Sequence, residues 1–118
     1  MAFRFEGLEV FQLAVEFARL TYEMTREFPK VETFGLTANL RRAATSIAMN
    51  IAEGAGRGTR RDFMHFIDIA TGSLFESIAS FILAERLGYI SATTLDTVRG
   101  RADTLGRKLS SFKKSLRP

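Results

Sequence analysis

The sequence predicts an all-α protein, an antiparallel up-down-up-down four-helix bundle built by residues 1–118 as a single domain. Three observations predict it. Apolar residues recur at intervals of three and four in four successive stretches, with no alternation of the kind a strand needs. Segments carrying glycine, proline or a capping hydroxyl separate those stretches. Each stretch is about 20–28 residues, or ~30–40 Å at the α-helical rise, and the short connections between them make neighbours antiparallel. A chain of 118 residues hides roughly two-thirds of its unfolded surface on folding, enough for a hydrophobic core.

The first stretch runs from Leu8 to about Glu27. Leu8, Phe11, Val15, Ala18, Tyr22 and Thr25 form its expected inner stripe, and Glu9, Glu16, Arg19, Glu23 and Arg26 lie largely elsewhere. Phe28-Pro29 ends it, because proline has no N–H and disfavours a helical residue before it. Residues 28–35 form a loop that Gly35 closes.

The second stretch starts at Leu36 or Thr37. Leu40, Ala44, Ile47 and Ile51 share one stripe with Leu36 and Ala43, and Arg42, Ser46, Met49 and Glu53 share another. Alanines at 38, 43, 44, 48 and 52 leave room for a neighbouring backbone. Gly54, Gly56 and Gly58 are expected to end the helix through their conformational freedom.

Thr59-Arg60-Arg61-Asp62 has the pattern of a helix start, with a hydroxyl to accept a first-turn amide and a carboxylate three residues on. Phe63, Phe66, Ile67, Ala70, Leu74, Ser77, Ile78 and Phe81 continue this third helix to about Leu87, where Gly88-Tyr89 closes it. Ile69, Phe75, Ile82 and Leu83 widen its apolar surface beyond one stripe, as expected of a bundle centre or a subunit interface. Ser91 caps the fourth helix, from about Ala92 to Leu116, whose inner stripe is Leu95, Val98, Ala102, Leu105, Leu109 and Phe112.

The net charge of +4 is unevenly spread. Residues 1–34 hold four Lys/Arg against six Asp/Glu, residues 35–61 five against one, residues 62–98 one against five, and residues 99–118 seven against one. Two basic blocks of this kind attract polyanions; they also fit solvated helix faces, with Lys113, Lys114 and Arg117 favoured at a helix C-terminus. The absence of cysteine excludes disulfides and thiolate metal sites and fits a reducing compartment, with the cytoplasm as the expected location. The N-terminus lacks the pattern of a signal peptide, and no stretch approaches ~18 uncharged apolar residues, so no membrane association is expected.

No catalytic constellation is visible, and neither an enzyme nor a cofactor is expected. A di-iron bundle needs inward glutamates and two Glu-x-x-His units, whereas His65 is the lone histidine and has no glutamate three residues before it. The segment GAGRGT lacks the third glycine of a dinucleotide fingerprint, a preceding strand, and the lysine of a P-loop. What it retains is the start of a helix beside Arg57, Arg60 and Arg61, an arrangement suited to a phosphate and equally to a solvated turn. The candidate nucleic-acid contacts are Arg42, Arg57, Arg60, Arg61, Lys113 and Lys114. Asn50, Glu53 and Glu76 are expected to be structural or interfacial, because a buried carboxylate needs partners. Arg41 and Arg42 point about 100° apart on a helix, so at least one is exposed or paired. Aromatic residues do not interleave with the basic blocks as a single-strand stacking platform requires.

Phe28-Pro29, Gly35-Leu36-Thr37, Arg41-Arg42-Ala43-Ala44, Ser46-Ile47, Asn50-Ile51-Ala52-Glu53-Gly54 and Gly56-Arg57, followed by Phe63, Phe66, Ile69-Ala70, Gly72-Ser73 and Glu76, carry a family resemblance. From about Phe5 to Ile90 the chain resembles the S23-type bacterial proteins encoded in intervening sequences of 23S ribosomal RNA genes. The resemblance implies a four-helix bundle that assembles into a homo-oligomer, a ring-like pentamer. That family is similar to the accessory proteins of diversity-generating retroelements, whose basic pentamers bind nucleic acid and a reverse transcriptase. Phe34 stands where the family usually has tyrosine, and Ala48 where proline is common, which removes a rigid point from the second helix. The function expected is a non-enzymatic oligomer that binds RNA or DNA backbone, as an accessory to a nucleic-acid enzyme. The alternative is a structural or protein-interaction scaffold without nucleic acid.

Overall fold

Helix α1 spans Glu9–Thr25 and follows a single 3-10 turn at Arg4–Gly7. Its inward line is Val10, Ala14, Phe17, Thr21 and Thr25, which corrects the expected stripe. Val15 and Tyr22 are instead 40% and 46% exposed, and Phe11 and Ala18 flank the core half-buried. Both lines have helical spacing and share Thr25, and Thr21 disguises the true one. Thr21 Oγ1 donates to the Phe17 carbonyl at 2.9 Å and Thr25 Oγ1 to that of Thr21 at 2.8 Å. Buried hydroxyls satisfied by their own helix carry little of the usual burial cost. The computed structural model describes residues 3–118; Met1 and Ala2, the start of the expected domain and of the N-terminal segment read for a signal, lie outside the described residues.

Past α1, Phe28 turns inward and meets the Tyr89 ring at 5.4 Å between centroids. A short 3-10 turn, Lys30–Glu32, then leads into α2, Leu36–Ala55. Glu32 ties this connection together. Its Oε1 accepts the Leu36 N–H at 3.0 Å, which caps α2, and its Oε2 accepts the Tyr89 hydroxyl at 2.9 Å. Thr37, Leu40, Ala43, Ala44, Ile47, Ala48, Ile51 and Gly54 form the buried face of α2.

Gly54 does not end α2. It is buried within the last turn, and a Cβ there would stand 2.8 Å from Phe66 Cβ and 2.7 Å from Phe63 Cδ1. The residue is glycine because α3 crosses against it; helix termination falls to the segment after Ala55.

Helix α3, Arg60–Arg86, begins at the expected cap: Thr59 Oγ1 accepts the Asp62 N–H at 3.0 Å. It ends at Gly88, whose φ of +81° is the left-handed conformation that glycine adopts without strain. The Tyr89 N–H reaches back to the Ala84 carbonyl at 2.9 Å, closing the last turn. Helix α4, Ala92–Ser115, starts at Ser91, whose side chain accepts the Thr94 N–H, and buries Leu95, Val98, Ala102, Leu105 and Leu109. Phe112 is half-buried.

Each helix packs on the next, α4 closes back on α1, and neither diagonal pair comes together through its backbones. That is the four-helix bundle expected, 46 Å long and 23 Å across. The α2–α3 pair has the most extensive contact. Small side chains allow it: Ser46 and Ser73 hydroxyls meet at 2.9 Å between the helices. The breadth of α3 leaves Ile69, Phe75 and Leu83 exposed, Phe75 by 71%. It also gives α3 an 18-residue window of mean hydropathy 1.5, long and apolar enough to cross a membrane by length and composition alone. In the bundle, α3 buries Ile67, Ala70, Leu74, Ser77, Phe81 and Ala84 in the core.

Candidate nucleic-acid interface

The end of the bundle where α2 stops, α3 starts and α4 finishes gathers charges that are far apart in the chain. Phe63 and Phe112 fix the helix ends to one another, edge to face with centroids 5.2 Å apart. Arg57, Arg60 and Arg61 in and after the glycine-containing turn thereby share an end with Lys113 and Lys114. Lys113 Nζ pairs with Asp68 at 2.8 Å. Arg57 is held twice, by Glu53 Oε1 at 2.8 Å and by the Phe66 ring 4.6 Å beneath its guanidinium. Arg60, Arg61 and Lys114 are exposed and have no carboxylate partner among the described residues.

This arrangement can hold an anion in two ways. The free cations supply charge, and the first-turn amides of α3 supply the positive end of a helix dipole. Thr59 already occupies one of those amides and Asp62 sits in the same turn, so the side chains carry most of the attraction. Arg117 and Lys108 add to the same end. Lys108 is tied to Glu9 of α1 at 3.2 Å, and both were legible as members of the C-terminal basic block.

Arg42 stands apart. It lies on α2, 13 residues before the helix ends at Ala55, about 20 Å along the helix axis, and its Nη2 bonds Glu76 Oε2 of α3 at 2.9 Å. Asn50 Nδ2 donates to the Ser46 carbonyl at 2.8 Å and to Ser46 Oγ at 2.9 Å, extending the Ser46–Ser73 contact into a short polar ladder. Glu53 and Glu76 bond different arginines and do not form a carboxylate pair. Among the described residues no group of three metal-ligating side chains assembles, and His65 is exposed beside Phe66.

A second cationic cluster was not anticipated. Arg26, Lys30 and Arg41 meet in a recess at the opposite end, where the α1–α2 connection folds over.

The fold and the surface together define a small antiparallel helical bundle with one basic end, a cationic recess at the other, and exposed apolar flanks. The chain belongs to the 23S rRNA-intervening sequence protein family, whose profile matches residues 6–111. It shares its fold with a protein of unknown function from the S23 ribosomal protein family of Bacteroides thetaiotaomicron VPI-5482, known from a 1.70 Å crystal structure. The two are 24% identical with a TM-score of 0.79, over 89% of this chain and 98% of that one. At that identity the similarity shows the fold alone. No curated protein matches the chain.

Proposed function

We propose that the protein is a non-enzymatic homo-oligomer that binds the backbone of RNA or DNA through its basic end, as an accessory to a nucleic-acid enzyme. The observation that carries this reading is the meeting of the two basic blocks of the sequence, Arg57–Arg61 and Lys113–Lys114, at one end of the bundle. Unpaired exposed arginines and lysines release counterions when they meet phosphates, so the affinity falls as salt rises. Arg42, engaged with Glu76, is the weakest member of the set. The oligomer rests on the apolar side chains that a lone bundle leaves in water.

Fluorescence anisotropy against single-stranded RNA, single-stranded DNA and duplex DNA over a salt series tests the binding. Arg60→Ala/Arg61→Ala/Lys114→Ala should weaken all three and flatten the salt dependence by roughly 0.7–0.9 in log–log slope for every phosphate left without its cation. Absence of binding by the assembled protein at low salt defeats the reading.

A specific observation favours a second reading. Phe75 stands on the rim of an apolar groove of about 520 Å³ between α3 and α4, floored by Leu74, Ile78 and Ala102. A scaffold would use this face for protein partners, and pull-downs that survive nuclease treatment would support it.

A further inference from the structure

The recess at the α1–α2 connection is lined by three cations, Arg26, Lys30 and Arg41, and by no carboxylate. It is open, about 520 Å³, and Tyr22, Thr25 and Phe34 are among its other walls. Two of its parts are already set. Arg41 Nε donates to Thr25 Oγ1 at 2.8 Å, Nη2 reaches the Tyr22 carbonyl at 3.4 Å, and the guanidinium lies 4.5 Å from the centroid of the Tyr22 ring. Arg41 is thus oriented without an acidic partner, and its rotamer entropy is lost before any ligand arrives. Phe34 is 97% exposed. It is presented by an ordered turn in which the Gly35 N–H bonds the Glu32 carbonyl at 3.0 Å and Glu32 caps α2.

From this geometry we infer that the recess binds one nucleotide unit of a single-stranded nucleic acid, with Arg41, Arg26 and Lys30 on the phosphate and Phe34 stacked on the base. The ligand class rests on the nucleic-acid reading above; the residues are different ones at the other end of the molecule. A planar guanidinium fixed in place suits phosphate oxygens. The first turn of α2 borders the recess at Thr37, and Glu32 already caps its Leu36 amide, so the three cations carry the attraction. A flat ring in water beside cations suits a base, because every base has a stacking face. Duplexes keep their bases stacked on each other, so the ring selects single strands.

The test uses the full chain and labelled oligouridylate, an abasic strand of equal length, and a duplex, all at low salt. Phe34→Ala should weaken oligouridylate binding on the order of tenfold, the effect of one stacked base. It should leave the abasic strand and the duplex as they were. Arg26→Ala/Lys30→Ala should weaken both single strands and lower the salt slope by up to about 0.7, the share of one single-strand phosphate. Arg41 is left intact because it also braces α1 against α2.

The basic end and the recess separate cleanly. If Arg60→Ala/Arg61→Ala/Lys114→Ala weakens binding and Phe34→Ala does not, the recess assignment falls and the basic end stands. The reverse result keeps the recess and removes the basic end; no binding of any strand removes both. A change in oligomeric mass in Phe34→Ala would make the ring an interface contact and overturn the assignment. So would uridine monophosphate binding as tightly as the oligomer, which would make the recess a free-nucleotide site.

Discussion

Gly54 shows how little room a residue can have. Alanine would gain helix propensity of about 1 kcal/mol. Its methyl, however, would have to displace the Cβ of Phe66, part of a packed helix rather than the far end of a flexible chain. Overpacking of this kind costs about 1–3 kcal/mol, so Gly54→Ala should lower stability in a urea titration, whereas Gly58→Ala, with open space at its Cβ, should not. The sequence pointed to glycine freedom at both positions, because a crowded glycine and a terminating one look alike in a chain. Tyr89 gives a residue-scale pH effect. Its hydrogen bond to Glu32, with burial and the Glu32 charge in support, raises its pKa above the ordinary value. The contribution is fully present below the unfolded pKa and is lost as pH rises through the higher folded one. In alkaline denaturation the stability difference between parent and Tyr89→Phe should therefore shrink through that window; a constant difference would mean that the bond is not formed in solution.

At the scale of elements, the helices were legible and their rotation was not always so. The caps Thr59 and Ser91 bond the amides that their positions suggest, and the inner stripes of α2 and α4 lie where periodicity puts them. In α1 two lines a quarter-turn apart compete, and Val15 and Tyr22 offer more apolar bulk than Ala14 and Thr21. What decides is that threonine can satisfy its hydroxyl within the helix, a fact about geometry rather than about polarity. Helix α3 has more apolar surface than its two packed neighbours, α2 and α4, cover. If that surplus holds copies together, Phe75→Asp should reduce the mass seen in sedimentation. Its thermal midpoint as a monomer should be nearly unchanged, since a side chain this exposed contributes little to the core.

At the scale of the whole molecule, the charge map was half legible. The block from Arg57 to Arg61 and the C-terminal block could be read from the chain, and an antiparallel topology brings them to one end. The opposite recess could not be, because Arg26 and Lys30 sit in a segment whose net charge is negative. Folding turns the Glu32 carboxylate toward Tyr89 and the Leu36 amide, off the wall of the recess, and carries Arg41 in from the next helix. A sum over neighbours in sequence misses a cluster assembled from three elements.

The Ser46–Ser73 contact has a kinetic corollary. It lies in the seam between α2 and α3, joined by a connection of only a few residues, and loop closure of that kind costs little entropy. This hairpin has the most extensive interhelical contact in the bundle and is therefore the natural nucleus for the rest. Ala44→Gly, in the middle of α2, should slow refolding in stopped-flow chevrons, while Leu105→Ala in α4 should chiefly accelerate unfolding. The opposite pattern would place the first docking event at α4. On the expected order, a nascent chain would have an ordered α2–α3 hairpin before α4 had been synthesised.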